Sequence, residues 1–244
     1  MKYQTFGLLV VALISGGDMQ AQQAGGAQEK VAALKQSLAK NQAALKKYAW
    51  TETTQISLKG EVKKTEQKSC LYGPDGKVQK TPMQGSSGEQ QQQAQSGRRG
   101  RRGGLVKKEV VQHKVGEMKD YMEQVAALVH EYAPPDPQKM QAAQAAGNVS
   151  VQPGEAGGIT TITFKNYLKQ GDSLVLGFDA AAKKIRSYNV QSYLEDPKKD
   201  AVTLAVSFDN LPDGTNYVKQ TILNAAGKQI GVTTTNSDYK KIGS

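Results

Sequence analysis

The fold is decided by the stretch Ala201-Val-Thr-Leu-Ala-Val-Ser-Phe208. Large apolar residues alternate in it with small or polar ones: Val202, Leu204, Val206 and Phe208 against Thr203, Ala205 and Ser207. Successive side chains of a β-strand point to opposite faces, so this alternation predicts a strand with one apolar face and one polar face. The apolar face of such a sheet serves either as a core or as a binding surface.

Similar runs surround this strand in the last third of the chain. They are rich in Val, Ile, Thr, Tyr and Phe, and turn signals such as Gly171-Asp172 and Pro212-Asp213-Gly214 separate them at intervals of about 8–12 residues. The predicted strands are Ile159–Phe164, Ser173–Phe178, Lys184–Tyr193, Ala201–Phe208, Tyr217–Leu223 and Gln229–Thr235. This spacing predicts an antiparallel meander.

A second group of strands comes earlier in the chain. The predicted strands are Tyr48–Leu58, Glu61–Tyr72 and Val78–Met83, joined by turns at Gly60 and at Pro74-Asp75-Gly76-Lys77. Glu52 interrupts the apolar face of the first strand, and we interpret it as a rim or solvated position, with a place inside a cavity as the alternative. Cys70 is the only cysteine, so it has no partner for an internal disulfide, and we predict that it is a small buried hydrophobe.

Three segments carry helical patterns. Residues 28–48 form an amphipathic stripe with lysines largely off it, and residues 136–146 form a short helix between Pro and Gly signals. Residues 116–132 carry the broadest apolar stripe, made of Met118, Tyr121, Met122, Val125, Leu128, Val129 and Tyr132. The segment Leu105–Lys114 is predicted to be a strand.

Residues 1–24 have the features of an export signal. Lys2 supplies the positive charge, Phe6–Ile14 is the apolar segment, and Ala21 or Ala24 is a small residue suited to precede a cleavage site. The apolar run is shorter than the roughly 20 residues that span a bilayer as a helix. The pattern therefore predicts an exported, periplasmic mature protein.

The mature chain, residues 25–244, is predicted to be a single domain with a disordered insertion at about residues 84–104. This insertion consists mainly of Gln, Gly, Ser and Arg and has no large apolar residue to anchor it. Its arginines are Arg98, Arg99, Arg101 and Arg102. The export signal and the lack of interleaved aromatic residues argue against nucleic acid. Two interpretations remain for the insertion: a solvated loop, or peripheral contact of the arginines with an anionic membrane surface. The net charge of +10 also favours anionic partners for the protein as a whole.

The sequence offers little for catalysis. His113 and His130 are the only histidines. There is no Gly-x-Ser-x-Gly elbow, no cluster of Cys or His residues with metal-binding spacing, and no glycine loop that would hold a phosphate. We therefore expect no enzymatic activity, no cofactor and no metal.

The order of elements carries a family resemblance. The motifs that support it are Tyr48-Ala-Trp50, Pro74-Asp75-Gly76, Phe178-Asp179 with Lys183-Lys184-Ile185, Asp213-Gly214 and Asn236-Ser237-Asp238-Tyr239. With the export signal and the central helices, they resemble the LolA/LolB-like periplasmic lipoprotein carriers and the wider superfamily of outer-membrane lipoprotein-sorting proteins. The resemblance implies an α+β fold in which a strongly curved antiparallel β-sheet, a half-open barrel, is covered on its concave face by helices. Acyl chains would lie between them.

Such carriers latch their lid with an arginine from the N-terminal half of the chain. The only arginine outside the insertion here is Arg186, in the C-terminal half, so this role is not transferred.

The residues also favour an apolar ligand independently of the resemblance. Acyl chains need apolar area, and each buried methylene contributes about 0.8 kcal/mol. We therefore expect a non-catalytic protein that binds lipid acyl chains or a lipidated protein between sheet and helices. The expected lining is Trp50, Ile56, Leu58, Met118, Met122, Val125, Val129, Leu204, Val206 and Phe208. The alternative is an interaction or regulatory module of the cell envelope, with a protein partner, a filled core and no lipid ligand.

Overall fold

The computed structural model describes residues 41–83, 104–133, 135–155, 158–179, 181–182 and 184–242. The predicted export signal, the predicted first helix up to residue 40, and the four arginines of the insertion (Arg98, Arg99, Arg101 and Arg102) lie outside the described residues.

One sheet of ten antiparallel strands dominates the molecule. The strands are β1 Tyr48–Leu58, β2 Glu61–Tyr72, β3 Val78–Pro82, β4 Val149–Gln152, β5 Ile159–Lys165, β6 Ser173–Asp179, β7 Lys184–Tyr193, β8 Ala201–Asn210, β9 Asn216–Ala225 and β10 Ile230–Lys241. Their order across the sheet is β3-β2-β1-β10-β9-β8-β7-β6-β5-β4. The fold class is therefore α+β with an antiparallel sheet, as the sequence predicts.

The sheet is neither closed nor strongly curled, which corrects the expectation of a strongly curved half-open barrel. Its two edges are β3 and β4, which do not pair with each other. β3 ends at Pro82, which has no backbone N–H to donate, and β4 is only four residues long. Short strands and proline are features that keep a sheet edge from pairing further.

The strand boundaries follow the sequence pattern closely. β7 has the predicted bounds, whereas β10 extends past Thr235 to Lys241. This extension contains a β-bulge opposite β1, between Ser237 and Lys240, the partners of Thr51 and Ala49. β4 was not predicted, because four residues are too few to show a period of two against a polar background.

Two helices connect the halves of the sheet: α1 Gly104–His130 and α2 Pro137–Ala145. Residues 41–45 are also helical. The prediction of a strand at Leu105–Lys114 is wrong, because this segment is the first part of α1. Val106 and Val110 are one helical turn apart, and Lys107, Lys108 and Glu109 favour a helix that continues into the stripe at 116–132.

The bounds of α2 have local causes. Asp136 is the N-cap and accepts a hydrogen bond from the Gln138 backbone N–H at 2.8 Å, and Pro137 begins the helix. Gly147 follows the C-cap with a φ of 71°, a left-handed conformation that glycine adopts without strain. The predicted short helix at 136–146 is confirmed.

The core consists of two clusters on one face of the sheet. The larger cluster joins Tyr132, Met140 and Ala143 to strands β5–β8 through Ile162, Phe164, Tyr167, Leu174, Leu176, Phe178, Tyr188, Val190 and Leu204. The smaller cluster joins Tyr121 and Val125 of α1 to Val202, Ala225 and Ile230. Every residue of the predicted α1 stripe is buried or half-buried, and its neighbours on the helix are mostly exposed.

Replacing Leu174 with Ala tests the larger cluster. Leu174 is completely buried, so Leu174→Ala should lower the free energy of unfolding by about 2–5 kcal/mol through lost burial and a residual cavity. Val62 is 56% exposed, so Val62→Ala should change the free energy of unfolding by less than about 0.5 kcal/mol. Urea unfolding followed by circular dichroism measures both. Equal changes in the free energy of unfolding for Leu174→Ala and Val62→Ala would show that Leu174 is not part of the core.

Candidate functional site

The candidate site is the contact zone between α1 and the strands opposite it, which we name the α1 seam. Its buried centre is the smaller cluster: Tyr121, Val125, Val202, Ala225 and Ile230. Partly buried apolar side chains surround this centre: Leu58, Met118, Met122, Leu128, Val129, Leu194, Leu223 and Val232. The seam therefore has a small dry interior and a larger apolar margin that solvent reaches.

The structure brings eight of the ten predicted lining residues into the two clusters. Leu58, Met118, Met122, Val125 and Val129 lie in the α1 seam. Leu204, Val206 and Phe208 belong to the larger cluster, which Val129 also touches. The other two are not members of either cluster. Trp50 packs in an aromatic cluster described below, and Ile56 is half-buried and pairs across the strands with Val232 of the seam margin.

Burial divides these eight residues into two groups. Val125 and Leu204 are buried and act as core. The remaining six are only partly buried, and they come from both sides of the contact, α1 on one side and strands β1 and β8 on the other. Half-exposed apolar side chains that face one another are the part of the site that a hydrophobic ligand could reach.

A buried carboxylate fixes α1 at one end of the seam. Asp172 is 2% exposed and accepts hydrogen bonds from the backbone N–H groups of Tyr167 at 2.6 Å, Leu168 at 3.0 Å and Lys169 at 2.9 Å. The Tyr132 hydroxyl also donates to Asp172. Since a buried charge is costly unless it is fully hydrogen-bonded, this set of donors explains how the carboxylate is accommodated.

Further tyrosines extend this polar network. The Tyr132 hydroxyl lies 2.8 Å from the Ser192 hydroxyl, and the Tyr188 hydroxyl donates to the backbone carbonyl of Tyr132. The Asp136 backbone N–H donates to the Tyr167 hydroxyl at 2.6 Å, which ties the start of α2 to the same place. Burial raises the pKa of Tyr132 and Tyr188 above the usual value and raises the pKa of Tyr167 to about 12. These hydroxyls therefore stay protonated, so those of Tyr132 and Tyr188 donate hydrogen bonds while that of Tyr167 accepts one from Asp136.

Tyr121, three turns earlier on α1, is a contrast to Tyr132. Its hydroxyl is buried and has no hydrogen-bond partner within normal geometry among the described residues. It lies against Gly227, where an added Cβ would be 3.0 Å from the hydroxyl oxygen and would collide with the Asp200 carboxylate. Glycine at 227 therefore allows α1 to approach the β9–β10 connection.

The two tyrosines should respond differently to loss of the hydroxyl. Tyr132→Phe leaves the buried Asp172 without one donor and should lower the free energy of unfolding by about 1–3 kcal/mol. Tyr121→Phe removes a buried hydroxyl that makes no hydrogen bond of normal geometry, only loose contacts with the Gly227 and Lys228 backbone, and should leave stability unchanged or raise it. Thermal and urea unfolding of both variants measure this difference. A Tyr132→Phe variant as stable as Tyr121→Phe would contradict the role given to Asp172.

Trp50 occupies an aromatic cluster of its own. Its ring stacks on Tyr239 at a centroid distance of 5.6 Å and lies 5.5 Å from Tyr72, and its indole N–H donates to the Asn236 side chain at 3.1 Å. Tyr217 also packs on Tyr239, at 4.5 Å. Trp50 was predicted to line the seam because it shares a strand face with Leu58. That prediction did not take into account the aromatic side chains from β2, β9 and β10 that pack around Trp50.

Tyr48 anchors this end of the sheet through a carboxylate. Its hydroxyl donates to Asp213 at 2.6 Å, and the Thr215 backbone N–H donates to the other Asp213 oxygen at 3.0 Å. Lys241 lies 3.6 Å from Asp213. The Tyr48 hydrogen bond, followed by Thr215 and the Lys241 charge, holds the pKa of Asp213 well below its usual range.

Tyr48→Phe should raise the pKa of Asp213 toward its ordinary value. Because the pKa is depressed in the folded state, the Asp213 carboxylate stabilises the fold above the unfolded value of about 3.9 and loses that contribution as pH falls. The variant should therefore lose less stability between neutral and acidic pH. An NMR titration of the Asp213 carboxyl carbon measures the shift, with Tyr217→Phe as the control. An unchanged titration in Tyr48→Phe would contradict the assignment.

The structure places three residues singled out by the sequence: Glu52, Cys70 and Arg186. The Glu52 side chain is 12% exposed and bonds the Lys80 ammonium at 2.7 and 2.8 Å, so it is an ion-paired position at the side of the aromatic cluster rather than a solvated one. Cys70 is fully buried, as predicted, and burial raises the pKa of its thiol. Arg186 pairs with Asp179 at 2.9 Å.

His130 is exposed at the end of α1. The described residues contain no group of three or more His, Cys, Asp or Glu side chains placed to hold a metal ion. None of the described helices is long and apolar enough to cross a membrane.

Comparisons with protein-family models, curated proteins and solved structures give no match to this chain. The functional interpretation therefore depends on the geometry alone. The Tyr132–Asp172 hydrogen bond was not predicted from the sequence. Tyr132 was assigned to the apolar stripe of residues 116–132, and Asp172 was assigned to a turn. The signal that could have indicated it was Asp172 directly after Gly171, a position where Asp bonds neighbouring backbone N–H groups.

Proposed function

We propose that this is a non-catalytic periplasmic protein that holds lipid acyl chains, or the acyl chains of a lipidated protein, in the α1 seam. The observation that carries the proposal is the meeting of partly buried apolar side chains from two sides: Met118, Met122 and Val129 from α1, and Leu58, Leu223 and Val232 from the sheet. The helix and sheet would separate slightly to admit a chain between them.

The chemistry of the seam suits such a ligand. An acyl chain offers no polar groups to recognise, and burial contributes about 0.8 kcal/mol per methylene, so eight buried methylenes would give about 6 kcal/mol. Methionine side chains are unbranched and polarisable, which lets Met118 and Met122 repack around chains of different length. The seam needs no placed polar group to do this.

The attachment of α1 determines where the seam would open. At the C-terminal end, Tyr132 is buried and bonded to Asp172 and Ser192. Toward the other end, Met118 and Met122 are only partly buried. We infer that α1 pivots near Tyr132 and that acyl chains enter at the Met118 end.

The resemblance to LolA/LolB-like carriers agrees with this proposal. The finer feature that it implies and that the fold leaves open, helices that cover one face of the sheet over a bound ligand, belongs to the proposal. The lid latch of those carriers is not included, because Arg186 is on β7 and is bonded to Asp179 through Nε at 3.2 Å and a terminal nitrogen at 2.9 Å. Any closing contact of this protein would use other groups.

A second candidate is an envelope interaction module with a filled core. The observation that favours it is the complete burial of Val125 and near-complete burial of Val202, at the centre of the seam. In this function the apolar margin would contact a protein partner. Occupancy by lipid distinguishes the two functions directly.

Met118→Gln combined with Met122→Gln should weaken acyl binding at least about tenfold, because two polar amides would replace apolar contacts at the entrance. Native mass spectrometry of the purified mature protein with phospholipid, and fluorescence binding of an acylated peptide, measure this. Met83 is an exposed methionine outside the seam, so Met83→Gln is the matched control and should bind normally. Wild-type protein that carries no lipid and ignores the acylated peptide would overturn the proposal in favour of the interaction module.

A further inference from the structure

Three neighbouring rows of side chains, on the face of the sheet that points away from the described helices, are almost free of charge. The strand register aligns these side chains into rows that cross the sheet. From β2 to β7 one row consists of Gln67, Thr53, Thr235, Gln220, Ser207 and Ser187. It continues through Gly177 of β6 to Thr161 of β5 and Gln152 of β4. Every side chain of this row is small or polar and uncharged.

The rows beside it are also uncharged except at one position, although the second row includes the apolar side chains of Ile222 and Val175. The second contains Gln55, Thr233, Ile222, Ala205, Asn189 and Val175, from β1 to β6. The third contains Ser57, Gly231, Asn224, Thr203 and Gln191, from β1 to β7, and its β5 member is Lys165. Lys165, near one end, is the only charged residue in the three rows, all of whose members are described. We name this surface the neutral face.

Chance composition does not account for the neutral face. The whole chain is 22% charged, whereas Lys165 is the single charged residue in the three rows. On the opposite side of β2, charges are accepted: Glu66 pairs with Lys64 at 2.6 Å and with Lys68 at 2.9 Å. β2 therefore contributes the uncharged Gln67 to the neutral face and charged side chains to the opposite face.

Charged residues at the margin of the neutral face are paired. Arg186 and Lys219 are the extra residues of two β-bulges, next to Ser187 and Gln220 of the first row. Each bonds a carboxylate, Asp179 at 2.9 Å and Asp209 at 3.0 Å respectively. These two ion pairs therefore add no net charge to the face.

The chemistry of the neutral face limits its partner. Without net charge it cannot attract nucleic acid or anionic lipid in the way that basic surfaces do. It has no Tyr, Trp, Phe, Met or Arg in its three rows, which are the residues enriched in protein interfaces. Ser, Thr, Asn and Gln side chains each donate and accept hydrogen bonds, as the hydroxyl groups of a sugar do.

The available hydrogen-bonding capacity and the dimensions also fit a sugar polymer. Hydrogen bonds within the rows are long, such as Gln220 to Thr235 at 3.4 Å and Gln67 to Thr53 at 3.4 Å. At about 4.8 Å per strand, nine strands give a strip about 40 Å long. We propose that the neutral face binds an uncharged, hydroxyl-rich polymer, a glycan chain lying across the strands. This inference is independent of the acyl site, which lies on the other face.

Thr233→Val combined with Thr235→Val removes two central hydroxyls and preserves side-chain shape and strand preference. Retention of the purified mature protein on insoluble cellulose and chitin should fall about tenfold in this variant, through the loss of two hydrogen-bonding groups. Thr234 lies between them and points to the opposite face, where it bonds Thr54, so Thr234→Val is the matched control. Its retention should equal that of the wild type.

Retention of the wild type that persists in 0.5 M NaCl, with loss only in the double variant, would support the proposal, since uncharged contacts are not screened by salt. Failure of the wild type to bind either polymer would overturn it, and so would retention that salt abolishes. Sedimentation velocity gives a further outcome. Self-association that the double variant abolishes, without polymer binding, would assign the face to a second copy of the chain and overturn the glycan proposal.

Discussion

The buried carboxylate of Asp172 is the constraint on which the rest of the arrangement depends. It lies in the turn between β5 and β6, where three backbone N–H groups and the Tyr132 hydroxyl satisfy it. Through Tyr132 it connects the end of α1 to Ser192 of β7, and Tyr167 connects the same turn to the start of α2. Because an unpaired buried charge costs several kcal/mol, the helices cannot leave this point without a large penalty.

A helix held firmly at one end is packed unequally along its length. Near Tyr132, α1 contributes to the larger cluster, which is dry and rich in aromatic residues. Toward Met118 it contributes to a small buried centre with a half-exposed apolar margin. The two faces of the sheet then differ in chemistry, with an adaptable apolar contact on the helix side and an uncharged polar surface on the other. We infer that the protein uses both faces for binding.

Much of the fold could be predicted from local sequence patterns. The alternation from Val202 to Phe208 indicated which face is apolar, and the α1 stripe indicated which side chains meet it. The strand at Leu105–Lys114 was predicted wrongly because a short apolar run does not distinguish a strand from a helix. The open, weakly curled sheet, the Tyr132–Asp172 bond and the neutral face depend on pairings between distant residues, which no local pattern contains.

The central claim is that acyl chains enter between α1 and the sheet while the Asp172 network stays intact. Hydrogen–deuterium exchange with and without a saturating acylated peptide measures this most directly. We predict slower exchange in residues 116–130 and in β9 and β10, with unchanged exchange in β5 and β6. Exchange that is unchanged along α1, or protection confined to other parts of the chain, would contradict the account.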